Sequence, residues 1–220
     1  MTAGTTKARV GVLALQGDFR EHLEILRAVG ATATEVRRPE HLETIDALVI
    51  PGGESTTIGK LALQYEIIPK LRERVASGMP VWGTCAGAIF IARRVPGHPH
   101  PIADLMDITV LRNAFGRQQE SFELDLAIPA LGVISFPGVF IRSPKITALG
   151  PNVVAVSSLT DGTVVAAREG RMLATSFHPE LTREHRFHEY FLGFPRDERW
   201  AAVPLVRRTC VASASSSSAR

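Results

Sequence analysis

Residues 9 to 15, RVGVLAL, make an unbroken apolar, β-branched run of strand length, and the pattern changes directly behind it. In FREHLEILRAVG the apolar positions Phe19, Leu23 and Leu26 share one helical face, and the run stops at Gly30, where a positive φ carries no steric penalty. TATEVRR returns as a strand, and DALVIPGG is a short buried strand that breaks at Gly52 and Gly53. Ser55 or Thr56 then caps a helix over TTIGKLALQY, and a second helical piece, PKLRERVASG, ends at Gly78. PVWGT is one more buried strand, feeding a helix-like run AGAIFIARR. Strands that alternate with helices predict a parallel sheet covered on both faces, because parallel neighbours need crossover connections.

The second half is spaced more tightly. DITVLRN, SFELDLAI, GVFIRS, VVAVSSL, TVVAARE and MLATSF are strands, TDGT and REGR are hairpin turns, and REHRFHEYF is a closing helix. The expected class is α/β: a flavodoxin-like three-layer fold whose mixed, mainly parallel central sheet takes antiparallel additions in its second half. One domain is expected over residues 9–195, between a flexible N-terminus (1–8) and a C-terminal extension (196–220). The extension carries SASSSS, too polar to fold alone, and disorder is expected from about residue 209.

Composition narrows the function classes. A chain of 220 residues with 45% hydrophobic content suits a single well-filled domain. No stretch approaches the roughly 18 uninterrupted apolar residues of a membrane span, and MTAGTTKAR lacks the apolar block of a secretory signal, so a cytoplasmic protein without membrane contact is expected. The net charge is +3, but the densest basic region is interrupted by Glu184, Glu189, Asp197 and Glu198, which predicts a solvated helix and tail and no nucleic-acid partner. The two cysteines, Cys85 and Cys210, are too few for a disulfide framework and are expected as free thiols.

Cys85 is the centre of the candidate chemistry. GTCAG is G-x-C-x-G, the cysteine counterpart of the strand-to-helix nucleophile elbow, with Gly83 and Gly87 removing side chains that would crowd the turn. A helix N-terminus favours the thiolate, the form that attacks carbon. A cysteine in an apolar context can equally be a small buried hydrophobe, so a histidine partner has to decide. His98 and His100 read as loop surface, His185 and His188 share a helical face without the further ligands of a metal site, and His22 and His41 have no obvious partner. In TSFHPEL a strand runs straight into His178, and Pro179 biases it to an extended conformation that leaves His178 and Glu180 on one side of the chain. Gly52 and Gly53 in VIPGGES form either an ordinary turn or, with the N–H of Ala86, a set of oxyanion donors.

GTCAG, SFHPE and PGGES together resemble the triad glutamine amidotransferases. With ALQGDFREH, IPGGESTT, RNAFGRQQESFE, GVFIRSP and SFHPELT, the chain resembles, from about residue 9 to 192, the glutaminase subunit of the pyridoxal 5′-phosphate synthase complex. The resemblance implies hydrolysis of L-glutamine to glutamate and ammonia through a cysteine thioester. The ammonia would pass to a synthase (lyase) subunit that uses ribose 5-phosphate and glyceraldehyde 3-phosphate. It further implies Cys85 as nucleophile, His178 as acid/base, Glu180 as orienting carboxylate, and Gly53 and Ala86 as oxyanion donors. Gly53, Glu54, Ser55, Arg112, Ile141 and Arg142 would bind glutamine, although a surface ion pair is the plain alternative for the two arginines. No metal and no organic cofactor is expected. The competing expectations are a glutaminase serving another synthase, a cysteine hydrolase or redox protein on a related sheet, and a binding subunit without catalysis. Residues beyond Leu192 have no counterpart in the family pattern, so Trp200 and Cys210 inherit no role.

Overall fold

The computed structural model describes residues 7–97, 99–112 and 121–194. The expectations for His98, for most of RNAFGRQQESFE, for both termini and for Cys210 lie outside the described residues.

β1 (Arg9–Leu13) leads into α1 (Phe19–Ala28) and β2 (Thr32–Val36). β3 (Ala47–Ile50) is followed by α2 (Ser55–Gln64) and α3 (Ile67–Ala76), and β4 (Val81–Thr84) by α4 (Ala86–Ile91) and β5 (Ala92–Arg94). Then come β6 (Met106–Leu111), β7 (Ser121–Leu126), β8 (Phe136–Ile141), β9 (Lys145–Leu149), β10 (Val154–Ser158), β11 (Val164–Glu169) and β12 (Met172–Thr175). Helix α5 (Arg186–Gly193) ends the described chain.

The main sheet runs β2-β1-β3-β4-β12-β11-β9-β6-β5, with β10 on β11. From β2 to β12 every neighbour is parallel, and from β12 through β11 and β9 to β6 every neighbour is antiparallel. Apart from the short edge strand β5, which pairs parallel with β6, the parallel part is the helix-alternating half of the sequence plus β12, and the antiparallel part is the closely spaced half. β7 and β8 pair as a separate antiparallel ribbon.

Strand periodicity divides the core into two layers. On β3, Leu48 and Ile50 pack with α2, α3 and α4, whereas Ala47 and Val49 face the layer of α1 and α5. The second layer also takes Trp82 and the ribbon's Leu126, Phe136 and Phe140. Three layers result, with the sheet in the middle. No helix among the described residues is long and apolar enough to cross a membrane.

Two local expectations are corrected, and one strand appears that the pattern did not predict. Glu54 caps α2, where Ser55 or Thr56 was expected, because its carboxylate accepts from both Thr56 N (3.1 Å) and Thr57 N (2.7 Å). The helix behind Cys85 stops at Ile91: Ala92 is extended (φ −63°, ψ 148°) and residues 92–94 pair with β6. Since residues 86–91 are all buried, no polar face marks where that helix ends. Finally, Lys145–Leu149 is a strand, paired with both β6 and β11, although only Ile146 in it is buried and the alternation that betrays a strand is missing.

Candidate active site

Parallel strands share one carboxyl edge, the usual binding edge of an open α/β sheet. Gln16 follows β1, Gly52 and Gly53 follow β3, Cys85 follows β4, and His178 follows β12. β4 and β12 lie in register with Thr84 opposite Thr175, so the segments that leave them emerge side by side. Cys85 N donates to Thr175 O at 2.8 Å, and His178 N donates to Val139 O of β8 at 2.8 Å, fixing both backbones.

Cys85 has φ 46° and ψ −103°, a conformation an L-residue adopts only under constraint, at about 1–3 kcal/mol. The two flanking glycines are part of that constraint. A Cβ on Gly87 would run into the Ile50 carbonyl oxygen, and one on Gly83 into the Gly87 carbonyl group. The elbow leaves Cys85 7% exposed, with Sγ 4.0 Å from the Ile141 carbonyl oxygen. Ala86 opens α4, in the turn whose N–H groups have no partner inside the helix.

His178 Nδ1 and Glu180 Oε1 are 2.7 Å apart, and both residues are buried. Burial works against a charged imidazole, but hydrogen bonds to Cys85 and Glu180, and the charges of both, push the His178 pKa up to about 10. Burial pushes the Glu180 carboxyl up, and the His178 hydrogen bond pulls it back. Asp18 Oδ2 is a second acid near the ring, 3.6 Å from His178 Nδ1. Asp18, His178 and Glu180 are the set among the described residues whose ligand atoms could meet a metal ion, but the short His178–Glu180 bond already satisfies two of the three as a pair.

Behind Glu180 sits His22, whose pKa burial lowers well below 6.5, with His188 and His178 adding to the effect; burial lowers His188 to about 3. A pH dependence follows. Below about pH 6.5 the unfolded chain binds protons at His22 and His188 that the native state excludes, so stability falls as pH drops towards 3. Between about 6.5 and 10 native His178 keeps a proton the unfolded chain has lost, so stability falls again as pH rises through that window. Urea midpoints measured from pH 4 to 10 should therefore peak near about 6.5, and His178→Gln should flatten the alkaline side alone. An unchanged alkaline slope in His178→Gln would refute the pairing.

Of the expected substrate residues, Ile141 meets Cys85, and Gly53 adjoins the glycine beneath the His178 ring. Gly53 has φ +147°, and the preceding Gly52 packs under the His178 ring, where a Cβ would strike Cε1. Glu54 N donates to Gln16 Oε1 at 2.6 Å. Burial raises the Glu54 carboxyl, yet hydrogen bonds from Thr56 and Thr57 outweigh it and hold the pKa at about 2. Arg112 Nη2 lies 3.3 Å from Glu54 Oε1, so two residues expected at the substrate pair with each other. Ser55 is buried, and its Oγ has no partner among the described residues. Ile141 presents its carbonyl to Cys85, donates its own N–H to Ser143 Oγ at 3.1 Å, and precedes an exposed Arg142 at φ 45°.

With this geometry in place, comparison with known proteins is decisive. Residues 12–194 match the SNO glutamine amidotransferase family. The chain belongs to this family. It is 57% identical over 186 residues to a Roseiflexus sp. protein named pyridoxal 5′-phosphate synthase subunit PdxT, covering 84% of this chain and 98% of the relative. A protein of the same name from Herpetosiphon aurantiacus is 53% identical over 189 residues, with 84% and 98% covered. A crystal structure described as a glutamine amidotransferase superposes with a TM-score of 0.80 at 53% identity, again covering 84% of this chain and 98% of that one.

This SNO amidotransferase contains polar groups that pattern reasoning left unassigned: Gln16, Asp18, His22, Thr84 and His188. His22 has no obvious partner in the sequence. In the fold its Nδ1 is 3.0 Å from His188 Nε2 and its Nε2 is 3.3 Å from Thr84 Oγ1. His41 also has a partner, accepting from Arg37 N at 3.3 Å. The signal for His22 was present, since positions 19, 22, 23 and 26 share one helical face and His22 is the polar member of an otherwise apolar set. His188 has the same signature beside Phe187 and Phe191.

Proposed function

We propose that this chain hydrolyses L-glutamine to L-glutamate and ammonia in the cytoplasm, and that it hands the ammonia to the lyase-type synthase subunit that makes pyridoxal 5′-phosphate. What carries the proposal is the line from Cys85 through His178 to Glu180 at the carboxyl edge of the sheet. His178, beside Cys85, takes the thiol proton as the nucleophile forms and holds the proton that the leaving nitrogen needs. The thiolate attacks the side-chain amide carbon: a C–S bond forms, and the carbonyl π electrons move to oxygen, held by the N–H groups of Gly53 and Ala86. Collapse breaks the C–N bond while His178 protonates the nitrogen, which leaves as ammonia. Water then attacks the thioester and gives a proton to His178, the C–S bond breaks, and glutamate departs with the thiolate restored. Glu180 keeps Nδ1–H of His178 in place throughout. No metal or organic cofactor takes part in these steps.

Glutamine brings an ammonium and a carboxylate of its own, which need fixed polar partners. Glu54 stays ionised at any working pH, and Arg112, Arg142, Ser55 and the Ile141 backbone are the further groups we assign to binding these ends. The synthase partner is supported by the PdxT name of relatives more than half identical to this chain. Its chemical rationale is that ammonia freed into neutral water is protonated and lost as a nucleophile.

The test is glutamine labelled with ¹⁵N in its amide, supplied with ribose 5-phosphate, glyceraldehyde 3-phosphate and the synthase subunit. Label should enter pyridoxal 5′-phosphate. Glutamate formation without that label would assign the glutaminase to a different synthase, and no glutamate at all would remove the activity itself.

A further inference from the structure

The triad leaves two wholly buried histidines without a task. His22 on α1 and His188 on α5 are each 0% exposed and meet through Nδ1 and Nε2 at 3.0 Å. The other nitrogen of His22, Nε2, lies 3.3 Å from Glu180 Oε2, while Oε1 of the same carboxylate engages His178 Nδ1 at 2.7 Å. A row of polar groups thus runs from His188 through His22 and Glu180 to His178. Its wall is aromatic: Trp82 stands edge-on to both imidazoles, with Phe187 and Phe191 against Trp82. Polar rings in such a wall cost stability relative to apolar ones of the same size.

Hydrogen-bond inventory assigns the protons. Nε2 of His22 faces two oxygens at 3.3 Å, Glu180 Oε2 and Thr84 Oγ1; a carboxylate only accepts and a hydroxyl can, so an attractive contact with both puts the His22 proton on Nε2. Nδ1 of His22 is then an acceptor, and His188 must donate from Nε2. That leaves His188 Nδ1 as a bare lone pair, and it is an atom with no partner among the described residues. The opposite assignment would bury an unpartnered N–H there, the rarer defect, and would turn a lone pair of His22 onto the carboxylate. Both rings are neutral, since burial lowers both. Oε2 has no well-aligned donor, so the 3.3 Å approach of His22 is its nitrogen contact in the described structure.

We propose that His22, seated by His188, is a positioning residue of the reaction: its Nε2–H, which faces both Thr84 Oγ1 and Oε2 of Glu180, holds that carboxylate in place and so keeps Oε1 aligned on His178. The proposal rests on the triad reading above. The groups that face this row are Asp18 and His178 at Glu180, His178 and His188 at His22, and His185 at His188. Without the anchor the buried carboxylate loses a donor that favours its charged form, and it takes up a proton at higher pH.

The test compares His22→Leu, His22→Gln and His188→Phe in the full chain assayed with the synthase subunit, reading kcat and KM for glutamine across pH. His22→Leu should lower kcat about 10- to 100-fold, the usual effect of removing a group that orients a reacting one, with KM unchanged within about twofold. The acid limb of its kcat profile should move up by roughly one pH unit. His22→Gln, whose amide N–H can still face Oε2, should recover most of both. His188→Phe should lower kcat a few-fold with a smaller shift of the limb in the same direction. A folded His22→Leu with normal kcat and an unmoved limb overturns the proposal, as do equal losses in the Leu and Gln variants with the limb unmoved. If His22→Leu does not fold, an unmoved limb and normal kcat in His188→Phe overturn it instead. Failure here is distinct from failure of the triad, which an active Cys85→Ala protein alone would show.

Discussion

Replacing Cys85 with alanine is expected to abolish glutamine hydrolysis, lowering turnover by at least about 10⁴-fold, and to leave unfolding stability within about 1 kcal/mol of the parent. The size of the first effect follows from the chemistry: without Sγ no thioester forms, and the oxyanion donors are left to act on an unactivated water. The second follows from the site. Alanine keeps the backbone N–H that binds Thr175 O, and the elbow is held by the approach of Gly83 and Gly87 to neighbouring backbone, which the substitution does not touch. Cys210→Ala is expected to leave the rate unchanged. Glutamate release measured by coupled assay, with thermal melts on the same samples, decides it. A Cys85→Ala protein releasing ammonia at a comparable rate rules out the thiolate mechanism.

The fold was legible wherever burial imposed a period. β1, β3 and β4 read as short apolar runs because both faces of a central parallel strand are covered. Lys145–Leu149 escaped because it contributes one buried side chain, and the end of α4 escaped because all six of its residues are buried. The same contrast holds at the site. Cys85 was visible through glycines that the backbone geometry requires, and His178 and Glu180 through a proline between them. His22 and His188 were passed over because their partner is 166 residues away in sequence, and only the packing of α1 against the region of α5 and Glu180 brings them together. The cap of α2 was misplaced for a different reason: at the N-cap a glutamate reaching two amides outcompeted the hydroxyls that usually take that place.

His178→Ala should reduce turnover by about 10⁴- to 10⁶-fold, and Glu180→Gln by one to two orders of magnitude less. In the proposed mechanism the imidazole moves protons in both halves of the reaction, onto departing ammonia and off attacking water, so its loss should damage each. Glu180 is assigned neither proton in transit; from 2.7 Å it is proposed to set the tautomer and direction of His178. A glutamine at 180 can still present its amide oxygen to Nδ1–H, but it removes the negative charge that helps hold His178 protonated. His178 should therefore titrate at lower pH in Glu180→Gln, and the alkaline limb of the rate profile should move down with it. KM for glutamine should hardly change in either variant, since neither side chain is assigned to the amino-acid end of the substrate. Steady-state kinetics between about pH 6 and 10 separates the two roles. A larger loss from Glu180→Gln than from His178→Ala would mean that the carboxylate, and not the imidazole, carries the proton.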